Sequence, residues 1–276
     1  MKSLLNSYPF YKMDLKNWME QEKIEKYEKI RKNVYCLFSN DSSKYFLKRI
    51  QSIREFKIMQ QLSFLEMQTF QKGILLKSNY SFKNYFHQDI NKCYKDYLYI
   101  LTHEIQGEDL YSNLNLPIES FKNILDTIIF SLRCAWEKIG FVHMDLHLGN
   151  IFIQKIQEPL YLETIWKSDP IHPILDIPNK IQVENYLPLI IDFDMSITKR
   201  YCYSSQIQTN ILRDIWHILG ILSLYMNQEK GILVLDYLEK FLDRNEFQEK
   251  KEQFANEWFN IVPPHQATPH QVPLRQ

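Results

Sequence analysis

Apolar residues along the first third of the chain recur in two different rhythms. Over "DLKNWMEQEKIEKYEKIR", residues 14–31, they return every three or four positions among charges, a spacing that predicts a helix or a solvated leader. "NVYCLFSNDSSKYFLKRI" then reads as two short strands around Asn40-Asp41-Ser42-Ser43, which makes a hairpin. Helical spacing returns in "SIREFKIMQQLSFLEMQTF", where Ile53, Phe56, Met59 and Leu62 are placed for one buried face. Strands are expected at "GILLKSNYSF" and "YLYILTHEI", with the polar "KNYFHQDINKCYKD" between them as a surface insertion.

From Ile118 the pattern is helical through "IESFKNILDTIIFSLRCAWEKIG", which closes on Gly140 as a C-terminal cap. "IFIQKI" and "LPLIIDF" have the continuous apolar character of buried strands. The stretch between them carries Pro159, Pro170, Pro173 and Pro178 and reads as an insertion. "ILRDIWHILGILSLYM" predicts an apolar central helix, followed by a charged helical stretch to about Phe259. The end, "VPPHQATPHQVPLRQ", is rich in Pro and Gln and is expected to be disordered. Strands, one helix, more strands and then mostly helices make an α+β chain, with a small N-terminal antiparallel sheet lobe and a larger, mainly helical C-terminal lobe.

Composition narrows the partners. Hydrophobic residues make up 45% of 276, enough for a folded core. Lys plus Arg and Asp plus Glu number 33 each, so no overall field draws the chain to nucleic acid or to an anionic membrane. Cys36, Cys93, Cys134 and Cys202 form no C-x-x-C pair, which argues against a disulfide framework or a zinc ribbon. No apolar run approaches the ~18 residues needed to span a bilayer, and no signal peptide is evident. The expectation is a soluble monomer, intracellular and either cytoplasmic or nuclear.

The candidate chemistry lies in "FVHMDLHLGNIFI", residues Phe141 to Ile153, where polar groups sit inside an apolar frame. Such a cluster is costly unless its groups are paired or bind something. Asp145 could accept a proton from a nucleophile, and Asn150 lies within reach on the same loop. Asp192, in "LIIDFD", is fixed at the end of a buried strand. Asn150 and Asp192 as oxygen ligands suit Mg²⁺ bound to a phosphate. Lys48, at the end of "KYFLK", could supply positive charge. His143 and His147 around Asp145 also admit a zinc hydrolase, although no further His/Cys cluster appears and "IIDFD" is then unexplained.

"HMDLHLGNIFI", then "IIDFDMS", then "DIWHILG" resemble, in order, the catalytic loop, metal-binding loop and central helix of the protein-kinase superfamily, from about Asn33 to Gly220. That resemblance implies a two-lobed fold and ATP- and Mg²⁺-dependent transfer to a Ser/Thr hydroxyl of a protein substrate. It makes Asp145 the catalytic base, with His147 in the same loop, and Asn150 and Asp192 the magnesium ligands. His143 and Phe193 become packing residues, and Asp214 a support beneath the loop. Lys48 would contact phosphates and pair with Glu55 in "REFKIMQQL", with Glu66 as the alternative. Adenine would lie against His103, Glu104 and Ile105, between Val34 and Phe152. His147 and Met144 point to the atypical side of the superfamily, and "HMDLHLGN", "IIDFDMS" and the absence of an Ala-Pro-Glu motif look most like the haspin-like kinases.

Two features depart from the family pattern. No glycine precedes Gly73, so the turn near Arg31 to Asn33 must serve for a Gly-rich phosphate loop. Phe46 stands where a small alanine is usual. A small-molecule kinase and a weak or inactive pseudokinase acting as a binding module are therefore the alternatives. The expected organisation is a leader over 1–28, a kinase-like domain over 29–260 (sheet lobe about 29–105, helical lobe about 106–260) and a disordered tail over 261–276.

Overall fold

Asp14 starts the first well-defined element: its Oδ1 accepts hydrogen bonds from the Lys16 and Asn17 amides and caps helix α1, Leu15–Gln21. The structure, a computed structural model, describes residues 13–78, 82, 97–163, 180–201, 211–225 and 228–241. The insertion expected over 83–96, most of the Pro-containing stretch (164–179) and the tail over 261–276 lie outside the described residues.

Six strands form the main sheet: β1 (Met13–Asp14), β2 (Ile24–Arg31), β3 (Val34–Ser39), β4 (Lys44–Ile50), β5 (Ile74–Ser78) and β6 (Tyr97–His103). Their order is β1-β5-β6-β4-β3-β2, antiparallel except for the short β1–β5 pairing. Alternation along β4 gives the sheet two faces. Tyr45 and Leu47 point to one, where they join Leu15, Trp18, Met19, Leu37 and Tyr99 in a closed apolar cluster. Phe46 and Lys48 point to the other and are half-buried.

The leader expected over 1–28 is corrected from residue 13 onward. Trp18 and Met19 are 5% and 3% exposed, and Trp18 meets Tyr45 edge-on at 5.1 Å, so α1 covers the sheet. A boundary at 28 would cut β2. The helix expected over 14–31 accordingly stops at Gln21, where Lys23 takes a left-handed φ of 48° and the chain turns into a strand.

Helix α2 (Arg54–Ser63) follows β4 and buries Phe56, Ile58, Met59 and Leu62. Helix α3 (Ile118–Ile139) runs through the main core with Phe121, Leu125, Ile128 and Leu132 inside, and ends at Gly140 in the left-handed conformation, φ 61°. A three-stranded sheet of β7 (Glu108–Asp109), β8 (Ile151–Lys155) and β11 (Tyr186–Ile190) packs beside it, with β8 central. β9 (Leu160–Glu163) and β10 (Lys180–Val183) pair as a separate ribbon that flanks the Pro-containing stretch. Helices α4 (Ile211–Tyr225) and α5 (Gln228–Phe241) complete a mixed α/β arrangement of an antiparallel sheet body and helices. One continuous core joins the inner face of the sheet (Ile50, Leu75, Ile100) to α2, α3, β8, β11 and α4. Among the described residues no helix is long and apolar enough to cross a membrane.

Candidate functional site

Lys48 is carried by β4 on the sheet's inner face, opposite Val34 on β3 and Ile100 on β6. The next turn brings in α2, whose first residues are Arg54 and Glu55, with Glu55 only 7% exposed. A carboxylate buried so deeply needs a partner. Lys48 Nζ supplies it, donating to Glu55 Oε1 at 2.9 Å and also to Asp192 Oδ1. Of the two candidate glutamates, Glu66 is exposed beyond the helix end, with φ 57°.

Asp192 sits two residues beyond β11 with φ 64°, a conformation aspartate tolerates better than most residues. Arg31, from the end of β2, donates through Nη2 to Asp192 Oδ2 at 3.2 Å. Each carboxylate oxygen of Asp192 thus meets a different cation, and Asp194 Oδ2 lies 3.7 Å from the same Lys48 nitrogen. Burial pushes the Asp192 carboxyl up, but Lys48 and then Arg31 outweigh it and hold the group below the usual carboxylate range. At Glu55 burial prevails over Lys48 and raises the pKa. Burial pulls Lys48 down, yet Glu55 and Asp192 together raise it, so the ammonium stays charged.

The loop bearing Asp145 is held from beneath. Asp214 on α4 is 2% exposed; its Oδ2 accepts from the His143 amide at 2.6 Å and its Oδ1 from the Met144 amide at 3.0 Å. This clamp keeps Met144 at φ 70°, a strained value for a long side chain. Val142 and Ile197 exchange backbone hydrogen bonds, and Ser196 Oγ donates to His143 O at 3.1 Å, so the Asp145 and Asp192 loops are tied together. His143 is fully buried, with its Nε2 2.8 Å from Ile191 O. A carbonyl only accepts, so Nε2 carries the proton. Burial lowers its pKa and outweighs the opposing rise from the Ile191 bond, which leaves a neutral structural imidazole. Beside it, Phe193 is 0% exposed and meets Phe141 edge-on and Phe70 at a tilt, at centroid distances of 6.0 and 6.4 Å.

Asn150 is 5% exposed in the 3₁₀ turn Leu148–Asn150. Its Nδ2 donates to Asp145 O at 2.9 Å, and its carbonyl accepts from Ile191 N at 3.0 Å, next to Asp192. Asn150 Oδ1 and the Asp145 carboxylate accept no hydrogen bond from the described residues. His147 caps the 3₁₀ turn: its Nδ1 accepts from the Gly149 amide at 3.1 Å and so bears no proton.

The segment after β6 is partly committed. Glu104 donates its amide to Lys44 O at 3.0 Å and pairs through its side chain with Lys44 Nζ at 3.0 Å. Ile105, half-buried, has no backbone hydrogen bond among the described residues. His103 is exposed against Tyr45. Val34 and Phe152 are both half-buried, Val34 on the Lys48 face of the sheet and Phe152 on β8 opposite Leu189.

The donor set fits magnesium better than zinc. Asp192 offers hard carboxylate oxygens that already attract two cations, and Asn150 keeps one carbonyl oxygen uncommitted. Two protein oxygens suit Mg²⁺, which retains waters and is completed by phosphate. Among the described residues no three His, Cys, Asp or Glu side chains gather as a metal cage. His143 Nε2 is moreover spent on a carbonyl, against the zinc-hydrolase alternative.

Arg54 and Phe70 carry no motif that would single them out in the sequence. Arg54 donates to the Ser196 carbonyl and joins α2 to the segment after Asp192. The only sequence signal for it is its place beside Glu55.

No protein-family model matches the sequence. The "Uncharacterized protein 179R" of Invertebrate iridescent virus 6 is 27% identical over 129 residues, which are 43% of this chain and 10% of that protein. The chain therefore spans about a tenth of the length of that relative. Among solved structures, one of the Rad53 kinase domain and SCD2 is similar at a TM-score of 0.41 and 14% identity, covering 72% of this chain and 64% of the other. That score is too low to define a shared fold.

Proposed function

We propose that this chain is an ATP- and Mg²⁺-dependent phosphotransferase with a two-lobed, protein-kinase-like layout, acting on a Ser or Thr hydroxyl of a protein substrate. One observation carries the reading: Lys48 Nζ joins Glu55 and Asp192, carboxylates from two different elements, beside a loop that presents Asp145 and Asn150. In this reading Lys48 holds the nucleotide phosphates and Glu55 holds Lys48. Asn150 and Asp192 hold the magnesium, which would neutralise phosphate charge and orient the γ-phosphoryl group. Adenine lies between Val34 and Phe152, with the uncommitted backbone of Ile105 as its polar contact and Glu104 alongside.

In this reading Asp145 takes the proton. The acceptor O–H gives its proton to the Asp145 carboxylate as the oxygen bonds to the γ-phosphorus, and the bond from that phosphorus to the β,γ-bridging oxygen breaks to release ADP. His147 serves this step by fixing the 3₁₀ turn that carries Asn150. The stretches "HMDLHLGN" and "IIDFDMS" favour the haspin-like branch of the superfamily.

Phe46 supports a second reading, a nucleotide-binding module without turnover: it is half-buried on the same face as Lys48, where its bulk in place of a small side chain would crowd a purine. Radiolabelled ATP with Mg²⁺ and a panel of histone, casein and basic protein, set beside small hydroxyl acceptors, separates the readings. We expect label on Ser or Thr of protein, cut roughly 10²- to 10⁴-fold by Asp145→Asn with ATP binding retained. Label on small acceptors alone would make the chain a small-molecule kinase, and binding without transfer would make it the module. Equal transfer by wild type and Asp145→Asn would remove Asp145 from the chemistry.

A further inference from the structure

The β2–β3 hairpin ends in Arg31-Lys32-Asn33, with no glycine in it and none anywhere before Gly73. A glycine-poor tip cannot bring bare backbone amides close to a phosphate. It is nevertheless firmly placed. Asn33 takes φ 65°, and its carbonyl accepts the Arg49 amide at 2.7 Å, which fixes the tip one residue from Lys48. From there Arg31 reaches Asp192 Oδ2 at 3.2 Å, although its side chain is 62% exposed and it has no other partner among the described residues.

We propose that Arg31 is the phosphate-binding residue of this hairpin and alternates between two anions, resting on Asp192 and transferring to the nucleotide phosphates when a divalent cation takes the Asp192 oxygen. The inference rests on the nucleotide site proposed above and adds to it the missing phosphate grip. The local charge balance motivates it. Lys48 is shared by Glu55, Asp192 and Asp194, so its single charge does not by itself balance a triphosphate. A guanidinium suits the task because it binds phosphate with two parallel N–H donors and stays charged. An arginine on Asp192 and a metal on Asp192 also compete for the same oxygen, so removing the arginine has opposite effects on two ligands.

That opposition is the test. Mn²⁺ alone, followed by paramagnetic resonance, and ATP·Mg²⁺, followed by calorimetry, would be titrated into full-length wild type, Arg31→Gln, Arg31→Lys and the charge-matched control Lys29→Gln. Lys29 is exposed on β2 and its side chain pairs with none of the site residues among the described residues. We expect Arg31→Gln to bind Mn²⁺ roughly 2- to 5-fold more tightly, the scale of an exposed ion pair removed. ATP·Mg²⁺ should bind about tenfold more weakly, the scale of one charge-assisted hydrogen bond to phosphate. Arg31→Lys should fall between, and Lys29→Gln should follow wild type. Unchanged or weaker Mn²⁺ binding in Arg31→Gln would overturn the exchange, as would unchanged ATP·Mg²⁺ binding, and both leave the nucleotide site standing if wild type binds ATP. Wild type that binds no ATP·Mg²⁺ would overturn the inference and the site together.

Discussion

Replacing Asp214 by alanine should cost far more stability than an ordinary polar substitution. The side chain is 2% exposed and accepts from two consecutive amides, those of His143 and Met144, at 2.6 and 3.0 Å. Each charge-assisted bond of this kind contributes about 1.5–3 kcal/mol, and removing the acceptor leaves both buried donors unsatisfied. Part of that cost is returned, because Met144 would be free to leave φ 70°, a conformation that costs about 1–2 kcal/mol. The net expectation is roughly 2–4 kcal/mol, a sizeable share of the 5–15 kcal/mol that holds a typical domain. Asp214→Asn retains one acceptor and should be destabilised about half as much. Urea unfolding followed by tryptophan fluorescence reads this directly. With a slope of about 2–3 kcal/mol/M, the alanine variant should shift its midpoint down by roughly 1–2 M. A destabilisation below about 1 kcal/mol would refute the clamp as the source of the strained loop.

Three further outcomes follow from the same geometry. Asp192 has a depressed pKa, so its pairing stabilises the fold above the unfolded value near 3.9 and that share vanishes as pH falls through the folded value. The stability gap between wild type and Asp192→Asn should therefore be constant near neutrality and narrow below about pH 4; a gap that stays constant through acid would contradict the pairing. Gly107→Ala should destabilise by more than about 2 kcal/mol by urea unfolding, since φ is 146° and an added Cβ would lie 2.2 Å from the Ile153 carbonyl oxygen. Phosphatase treatment should leave any transferase activity unchanged: Ser196 and Thr198 are 0% exposed, and Arg54 grips the Ser196 carbonyl without a phosphate. Ser204, Ser205 and Thr209 lie outside the described residues, so a large drop in activity on treatment would place control there.

Where the sequence was readable and where it was not has a physical basis. Buried elements declared themselves: α3 and β8 carry long apolar signals, and Gly140 marks the end of α3. β2 misled because it is an outer strand of its sheet with little buried surface; Ile24, Tyr27 and Ile30 fall three apart by chance and imitate a helix among charges. The ribbon of β9 and β10 was hidden because both strands are short and their pairing spans a long intervening stretch. Lys48, Asp145, Asn150 and Asp192 each sit in a short motif whose apolar flanks fix its place in the fold. Arg31, Arg54 and Phe70 act across the fold, Arg31 on a residue 161 positions away, and no local pattern encodes such a contact.

Isothermal titration of ATP in the presence and absence of Mg²⁺, into wild type and Lys48→Met, tests the central claim most directly. The account predicts saturable binding at one site that strengthens with Mg²⁺ and weakens about tenfold or more when the ammonium shared by Glu55 and Asp192 is removed. No binding by wild type, or binding that ignores both Mg²⁺ and Lys48, would contradict it.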